Sequence, residues 1–405
     1  MNVLLLSPGY PPEMPFFTRG LAQIGVNVIG LGDQHQSALP PEARDHLAAY
    51  YQCGGFANEQ AILDQVQGIA RQIQIHRVEC LWEPLMILAA RLRAMLGLPG
   101  MTVEQTEPFR DKERMKQVLD AAGIRTPKHA RARTVGEVKA AIERIGFPAI
   151  VKPIAGAGSK DTHRVNDANE LDRVLPQLRH VSEASVEEFI EGEEFTFDTV
   201  CGDGRILYYN ICAYRPRPLI ARQLEWVSPQ TVALRDPDVP YLAEGVRMGR
   251  AVIQAMGYRE GFTHMEWHRK ADGEAVFGEI AARPPGARTV DIMNFACDLD
   301  LFQGWAEAVC MGKISQPIER RYNCASIFKR AQGQGRIQRI EGLGQLLAEE
   351  GEWVVNVDLL PIGAQRRDWL QTLISDGMVV VRHPDLSETL RIADRVGTDL
   401  QMYAG

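Results

Sequence analysis

The sequence predicts a multidomain chain of mixed α/β and α+β class. Three observations carry this. Residues 1–107 alternate apolar strand-like runs with helical periodicity, which predicts a small parallel α/β domain with right-handed crossovers. Residues 108–315 carry strands, helices and an acidic hairpin, a larger α+β unit. Residues 316–405 carry short strands and a final helix, which read as a small α+β cap.

Taken in order, residues 3–6 are apolar, lack a basic leader and meet Pro8-Gly9 at once, so they read as a first strand and not a signal peptide. Residues 16–24 read as a helix, 26–31 as a strand, and 59–75 and 85–96 as helices. The first turn, Ser7 to Pro12, holds no G-x-G-x-x-G, which argues against a Rossmann dinucleotide site. In the second unit, 112–122 is a helix ended by Gly123 and 135–145 is another. Residues 147–153 form a buried strand ending at Lys152-Pro153, and 185–190, 194–200 and 206–213 are strand-like. A helix over 241–256 ends at Gly257, and one over 299–311 closes the unit. The cap has strands at 325–329, 353–359 and 378–382, then a helix at 386–396.

A formal net charge of −7 gives no basic face for a nucleic acid. No apolar run approaches the roughly 18 residues that cross a bilayer. The seven cysteines are scattered without a C-x-x-C pair, which points to reduced thiols in a cytoplasm and away from zinc or disulfides. His264 and His268 share a strand face without a third ligand type, so they read as structural or supporting histidines.

The chemistry concentrates at Glu266 and Glu279. Asp272-Gly273 between strand-like runs is a strong hairpin signal. A two-residue turn there places Ala271 opposite Glu274 and Glu266 opposite Glu279. Like charges facing each other about 5 Å apart repel, and a hard divalent cation turns that repulsion into a site. A solvated hairpin is the plain alternative. Without metal, neutralising either carboxylate is expected to leave the fold as stable or more so.

Lys152 ends a buried strand, where an ammonium needs an anion. Gly156-Ala157-Gly158-Ser159-Lys160 follows, small enough for backbone N–H groups to approach phosphate, although it is no Walker A loop. An ordinary glycine turn explains it equally. Glu187-Glu188-Phe189-Ile190-Glu191-Gly192-Glu193-Glu194 runs from an apolar strand into an acidic stretch that offers backbone groups to an adenine edge and a carboxylate to ribose.

In this order, these motifs and the closing Glu279-Ile280-Ala281-Ala282-Arg283-Pro284 resemble the ATP-grasp superfamily over about residues 110–312. The resemblance implies two subdomains, about 108–190 and 191–315, clamping ATP, with an α/β domain before and a cap after. It implies Lys112 and Lys152 on the phosphates, with Gly156, Gly158 and Ser159 in a loop closing over them. Glu187 would sit near the adenine amino group, Glu188, Phe189 and Ile190 along the adenine edge, and Glu194 on the ribose. Glu266 and Glu279 would hold Mg2+, and Arg283 would steady the transferred phosphoryl. Ala281 stands where the family often has a third magnesium ligand, asparagine, which leaves the number of metal ions open. Arg283-Pro284-Pro285-Gly286-Ala287-Arg288 is similar to the loop of amino-acid ligases, so Arg288, with Arg215 and Arg222, is expected to face a substrate carboxylate.

The implied activity is an ATP-dependent carboxylate–amine ligase that works through an acyl-phosphate on small-molecule acids and amines, without nucleic acid or membrane. The resemblance also allows a homodimer. A bicarbonate-activating carboxylase and a non-catalytic ATP-binding regulator are the alternatives. The chain lacks an Ala-Met-Lys-Met biotin segment, and it retains both lysines, both glutamates and Arg283, which speaks against the regulator.

Overall fold

The computed structural model describes residues 1–154, 161–372 and 374–405. Strands β1 (Asn2–Leu6), β2 (Asn27–Gly32), β3 (Ala49–Gln52) and β4 (Arg77–Glu79) form a parallel sheet in the order β3-β2-β1-β4. The order reverses between β1 and β4. Ligands of open parallel sheets sit outside the strand ends at such a switch point, and Ser7–Pro12 and Cys80–Glu83 lie there.

The next unit opens with the helix Lys112–Ala121. Strands β5 (His129–Ala132), β6 (Ala149–Pro153), β7 (His163–Val165) and β8 (Ala184–Glu188) follow as an antiparallel sheet ordered β5-β8-β6-β7. The central sheet begins with β9 (Glu193–Gly202), β10 (Arg205–Asn210), β11 (Cys212–Arg215) and β12 (Gln230–Ala233), and continues with β13 (Gly261–Arg269) and β14 (Ala275–Ala281). Beyond these come β15 (Asn323–Phe328), β16 (Gln332–Gly333), β17 (Ile337–Glu341), β18 (Val354–Leu359), β19 (Gly377–His383) and β20 (Gln401–Ala404). β15, β19 and β18 extend the central sheet past β12, giving β14-β13-β9-β11-β12-β15-β19-β18 with β10 on β9. β16, β20 and β17 form a separate small sheet.

Residues 206–213 are two strands, not one. Both pair antiparallel with β9, and the ladder breaks at Ile211, where the Cys212 N–H donates to the Thr196 hydroxyl at 3.0 Å instead. The periodicity reading omits the helix Thr289–Cys297, whose start hides behind a Pro-Pro-Gly run and two residues of positive φ, Ala287 (55°) and Arg288 (58°). Helix 59–75 stops at Ala70.

The N-terminal sheet is fixed to the central one through an aromatic core. Phe17 on the helix Met14–Gln23 packs edge-on against Phe302 (4.9 Å), Trp305 (5.2 Å) and Phe262 (6.0 Å). This helix meets the helix Leu301–Met311 closely because residue 20 is glycine: a Cβ there would lie 2.4 Å from the Phe302 carbonyl oxygen. Backbone cannot yield as a side chain does, so Gly20→Ala is expected to cost about 1–3 kcal/mol of stability. Urea denaturation with an unchanged midpoint would disprove that close approach.

Candidate active site

The site lies where three elements converge. Asp111 caps the helix Lys112–Ala121, its carboxylate accepting from the Glu113 and Arg114 N–H groups at 3.0 Å. That cap sets Lys112 on the first turn and Lys116 one turn on, on the same face. Strands β6 and β8 bring Lys152 and Glu187, and β13 and β14 bring Glu266 and Glu279. Between the sheets is a cleft of about 150 Å3, partly open to solvent, lined by Lys112, Lys152, Glu187, Glu194, Glu266 and Glu279. The expected phosphate loop residues Gly156, Gly158 and Ser159 lie outside the described residues.

The Glu266–Glu279 pairing holds, by a different route from the one counted. The turn is longer than two residues: the Lys270 N–H donates to the Glu274 carbonyl and the Gly273 N–H to the Lys270 carbonyl, both at 2.9 Å. Near the turn Arg269 faces Ala275, one residue off the expected register, and a bulge at Gly278 restores it so that Glu266 meets Glu279. Only glycine fits the bulge, since a Cβ at 278 would lie 2.8 Å from the Glu266 carbonyl oxygen.

The two carboxylates are not equivalent. Lys112 Nζ lies 3.2 Å from Glu279 Oε2. Burial pushes the Glu279 carboxyl up, but Lys112, Lys152 and Arg283 outweigh it and hold it at about 2. Glu266 instead has Tyr214 Oη at 3.5 Å and His264 Nε2 at 3.6 Å. His264 is tied through Nδ1 to the fully buried Asp198 at 2.6 Å, which overcomes burial and raises the imidazole to about 9.

Glu187 is clamped from both sides. Lys116 Nζ is 2.7 Å from one carboxylate oxygen and Lys152 Nζ is 2.9 Å from the other, with the Ser185 hydroxyl adding a bond of 2.7 Å. Burial disfavours the charge, yet the two ammonium groups hold the Glu187 carboxyl far below the usual range. Sequence reasoning missed Lys116. Its only signal is a lysine on the otherwise buried face of an amphipathic helix.

At the cleft's other end, which Glu188, Phe189 and Ile190 also line, the Glu188 N–H donates to the Lys128 carbonyl and its carboxylate pairs with Arg125 at 3.1 Å. The Phe189 ring lies beneath Arg164, 4.0 Å away, and the Ile190 carbonyl accepts from Arg217 at 3.2 Å. Burial and the Glu266 charge push Glu194 up to about 7, against the pull of Arg217 at 3.4 Å. Arg217 and His268, the latter expected to be a structural or supporting histidine, line this end. Burial, Arg217 and Lys152 push the His268 imidazole down to about 3, so it stays neutral.

Of the remaining arginines, Arg283 donates from Nε to Glu83 at 2.9 Å, and Glu83 also pairs with Arg110. Glu83 sits at the switch point of the N-terminal sheet, and nothing in the local sequence marks it. Arg288 is bound by its own neighbour Asp291 at 2.5 Å, and Arg215 by Asp394 at 3.1 Å. Two of the three expected substrate arginines therefore already have an acid partner. Arg222 donates to the Leu370 carbonyl at 3.4 Å.

Residues 109–215 match the family model described as ATP-grasp domain. Over the whole chain the fold is similar to the crystal structure of an L-amino acid ligase from Bacillus licheniformis, with a TM-score of 0.81 at 19% identity, covering 100% of this chain and 98% of that one. An L-arginine-specific L-amino acid ligase of Bacillus subtilis is 30% identical over 48% of each chain. An alanine–anticapsin ligase of Bacillus subtilis (strain 168) is 24% identical over 63% of this chain and 58% of its own. The chain spans 48–61% of the length of the first curated relatives it matches. It carries an ATP-grasp fold, with the parallel N-terminal sheet and antiparallel sheets expected of one.

The asymmetry corrects the expectation for the hairpin. Glu279→Gln removes an ion pair and should destabilise the protein by on the order of 1 kcal/mol, whereas Glu266→Gln should leave stability unchanged or raised. Thermal melts in chelator giving equal shifts for both would contradict the Lys112 pairing. Glu194 has the opposite sign. Its folded value near 7 exceeds the ordinary 4.5, so its ionisation costs stability as pH rises through that window and costs nothing below it. Glu194→Gln should therefore stabilise the protein at pH 8 by on the order of 1 kcal/mol and by little at pH 4.5. Urea midpoints that do not diverge with pH would refute this.

Proposed function

We propose that the chain is an ATP-dependent carboxylate–amine ligase with an amino acid as one substrate. The observation that carries the reading is the convergence of Lys112, Lys152, Glu266 and Glu279 on one cleft between two sheets, with Arg283 beside Glu279. A phosphoryl transfer needs little covalent help from protein. It needs positive charge set around the moving group and a geometry that excludes water.

A carboxylate oxygen of the acid attacks the γ-phosphorus, the bond to the β-phosphate oxygen breaks, and ADP leaves. The amine nitrogen then attacks the acyl carbon, the C–O bond to phosphate breaks, and inorganic phosphate departs as the nitrogen loses a proton. Lys112 and Lys152 hold phosphate oxygens, and Arg283 meets charge that develops on the transferred group. Glu194 accepts from ribose, with Arg217 and neutral His268 alongside. Glu266 and Glu279 would hold Mg2+, which neutralises phosphate charge when bound. Two hard carboxylates facing each other suit it, and Ala281 adds no third donor.

An amino-acid substrate is supported by the relatives' names and by two cations. Among the described residues neither Arg222 nor Arg330 has an acid within ion-pair distance. Arg330 donates only to the Ala221 and Leu224 carbonyls and the Ser375 hydroxyl, and Trp369 covers it at 4.4 Å. This pair replaces Arg215 and Arg288 as the place for a spectator carboxylate.

The test is ADP formation with pools of amino acids and small acids. No ADP above background with any pool would reject the ligase. In the same protein, Lys152→Ala should weaken ATP binding tenfold or more, since a charged hydrogen bond contributes about 1.5–3 kcal/mol. Calorimetry with unchanged affinity would remove Lys152 from the site. Arg283→Lys should impair turnover more than ATP binding, because lysine lacks the planar fork. Near-normal turnover at saturation would exclude that role.

A further inference from the structure

We infer that Lys116 and Arg110 are positioning residues: each neutralises the carboxylate that aims a site cation, so that Lys152 and Arg283 keep a positive charge to offer the nucleotide. The inference rests on the ATP-binding reading above and adds residues that reading does not use.

Lys152 is aimed by Glu187 at 2.9 Å, and Arg283 by Glu83 at 2.9 Å. A one-to-one pair fixes a side chain but leaves no net charge for phosphate. In both cases the acid has a second basic partner. Lys116 takes the other oxygen of Glu187 at 2.7 Å, and Arg110 takes the other oxygen of Glu83. Each triad therefore carries one net positive charge. Lys116 is 0% exposed and Glu187 4%, so this charge is held away from water. Burying an ammonium is costly, and an apolar side chain of the same volume would pack there without that cost. A mere staple between helix and sheet has no need of charge. Both counterweights come from one segment: Arg110 just precedes the helix Lys112–Ala121, and Lys116 lies a turn beyond Lys112, whose carbonyl it also meets at 3.4 Å.

Charge balance and stapling separate in a binding experiment. Lys116→Met keeps the volume and leaves Glu187 alone against Lys152. Calorimetry should show ATP affinity falling about tenfold with adenosine affinity unchanged, the size of one lost charged contact. Adding Glu187→Gln frees Lys152 again, so the double variant should recover most of the ATP affinity. A staple predicts the reverse: equal losses for ATP and adenosine, and no recovery in the double variant. Either result would overturn the inference. Arg110→Gln gives an arm that spares the buried lysine, since Arg110 is partly exposed. It should reduce the preference for ATP over ADP several-fold, with Glu83→Gln restoring it. An unchanged preference would remove Arg110 from the role. Wild type that binds neither ATP nor adenosine would reject the nucleotide reading, and this inference with it. Wild type that binds ATP, with variants that behave like it, would reject the inference alone.

Discussion

Every charged group in the cleft is held by another charged group, and the geometry of the site depends on that mutual compensation. A lone ammonium or carboxylate between two packed sheets would lose hydration that nothing restores. Here Lys112 meets Glu279, Lys116 and Lys152 share Glu187, Arg110 and Arg283 share Glu83, and Arg217 meets Glu194. The pairs also cross elements. Glu187 joins a helix to two strands of the β5-β8-β6-β7 sheet. Glu83 joins the N-terminal sheet to the loop after β14. Glu279 joins the hairpin to the helix that starts at Lys112. The interactions that make these charges tolerable also align the three units on one cleft.

How much of this the sequence carries depends on the distance over which a residue's partner lies. The hairpin is local, and its acidic pair is legible although two local details miscount: the turn is longer and Gly278 bulges, and the two shifts cancel. Lys152 is legible because a lysine ending an apolar strand demands an anion. Its actual partner, Glu187, was expected to face adenine, because the competing claim of Lys116 comes from a helix 71 positions away. Arg215 and Arg288 fail for related reasons. A guanidinium reads as available until Asp394, 179 positions along, comes beside Arg215, and until a left-handed turn folds Arg288 back onto Asp291. Glu83 has no local signal at all. Its importance comes from the topology that puts the switch point of one sheet against the end of another.

The Glu188 and Phe189 N–H groups are bonded to the Lys128 and Pro148 carbonyls. Any donor offered to a base by this stretch must come from residues beyond the paired strand, where β8 has ended at Glu188 and β9 has not begun.

The compensated cleft also dictates how the site must respond to a polyanion. Glu279 is the acid of Lys112, and Glu266 lies beside the His264–Asp198 pair. Under the ligase reading, phosphate oxygens compete with carboxylates for the lysines, and a divalent cation competes with the lysines for the carboxylates. The two exchanges favour each other. A cation on Glu279 weakens that carboxylate's hold on Lys112, and phosphate on Lys112 weakens the lysine's hold on Glu279. Neither ligand alone cancels the loss it causes, whereas together they replace one ion pair with two. Affinity for nucleotide and for metal is then linked through the Lys112–Glu279 contact of 3.2 Å, and the linkage is reciprocal because it is a property of the equilibrium and not of the order of binding.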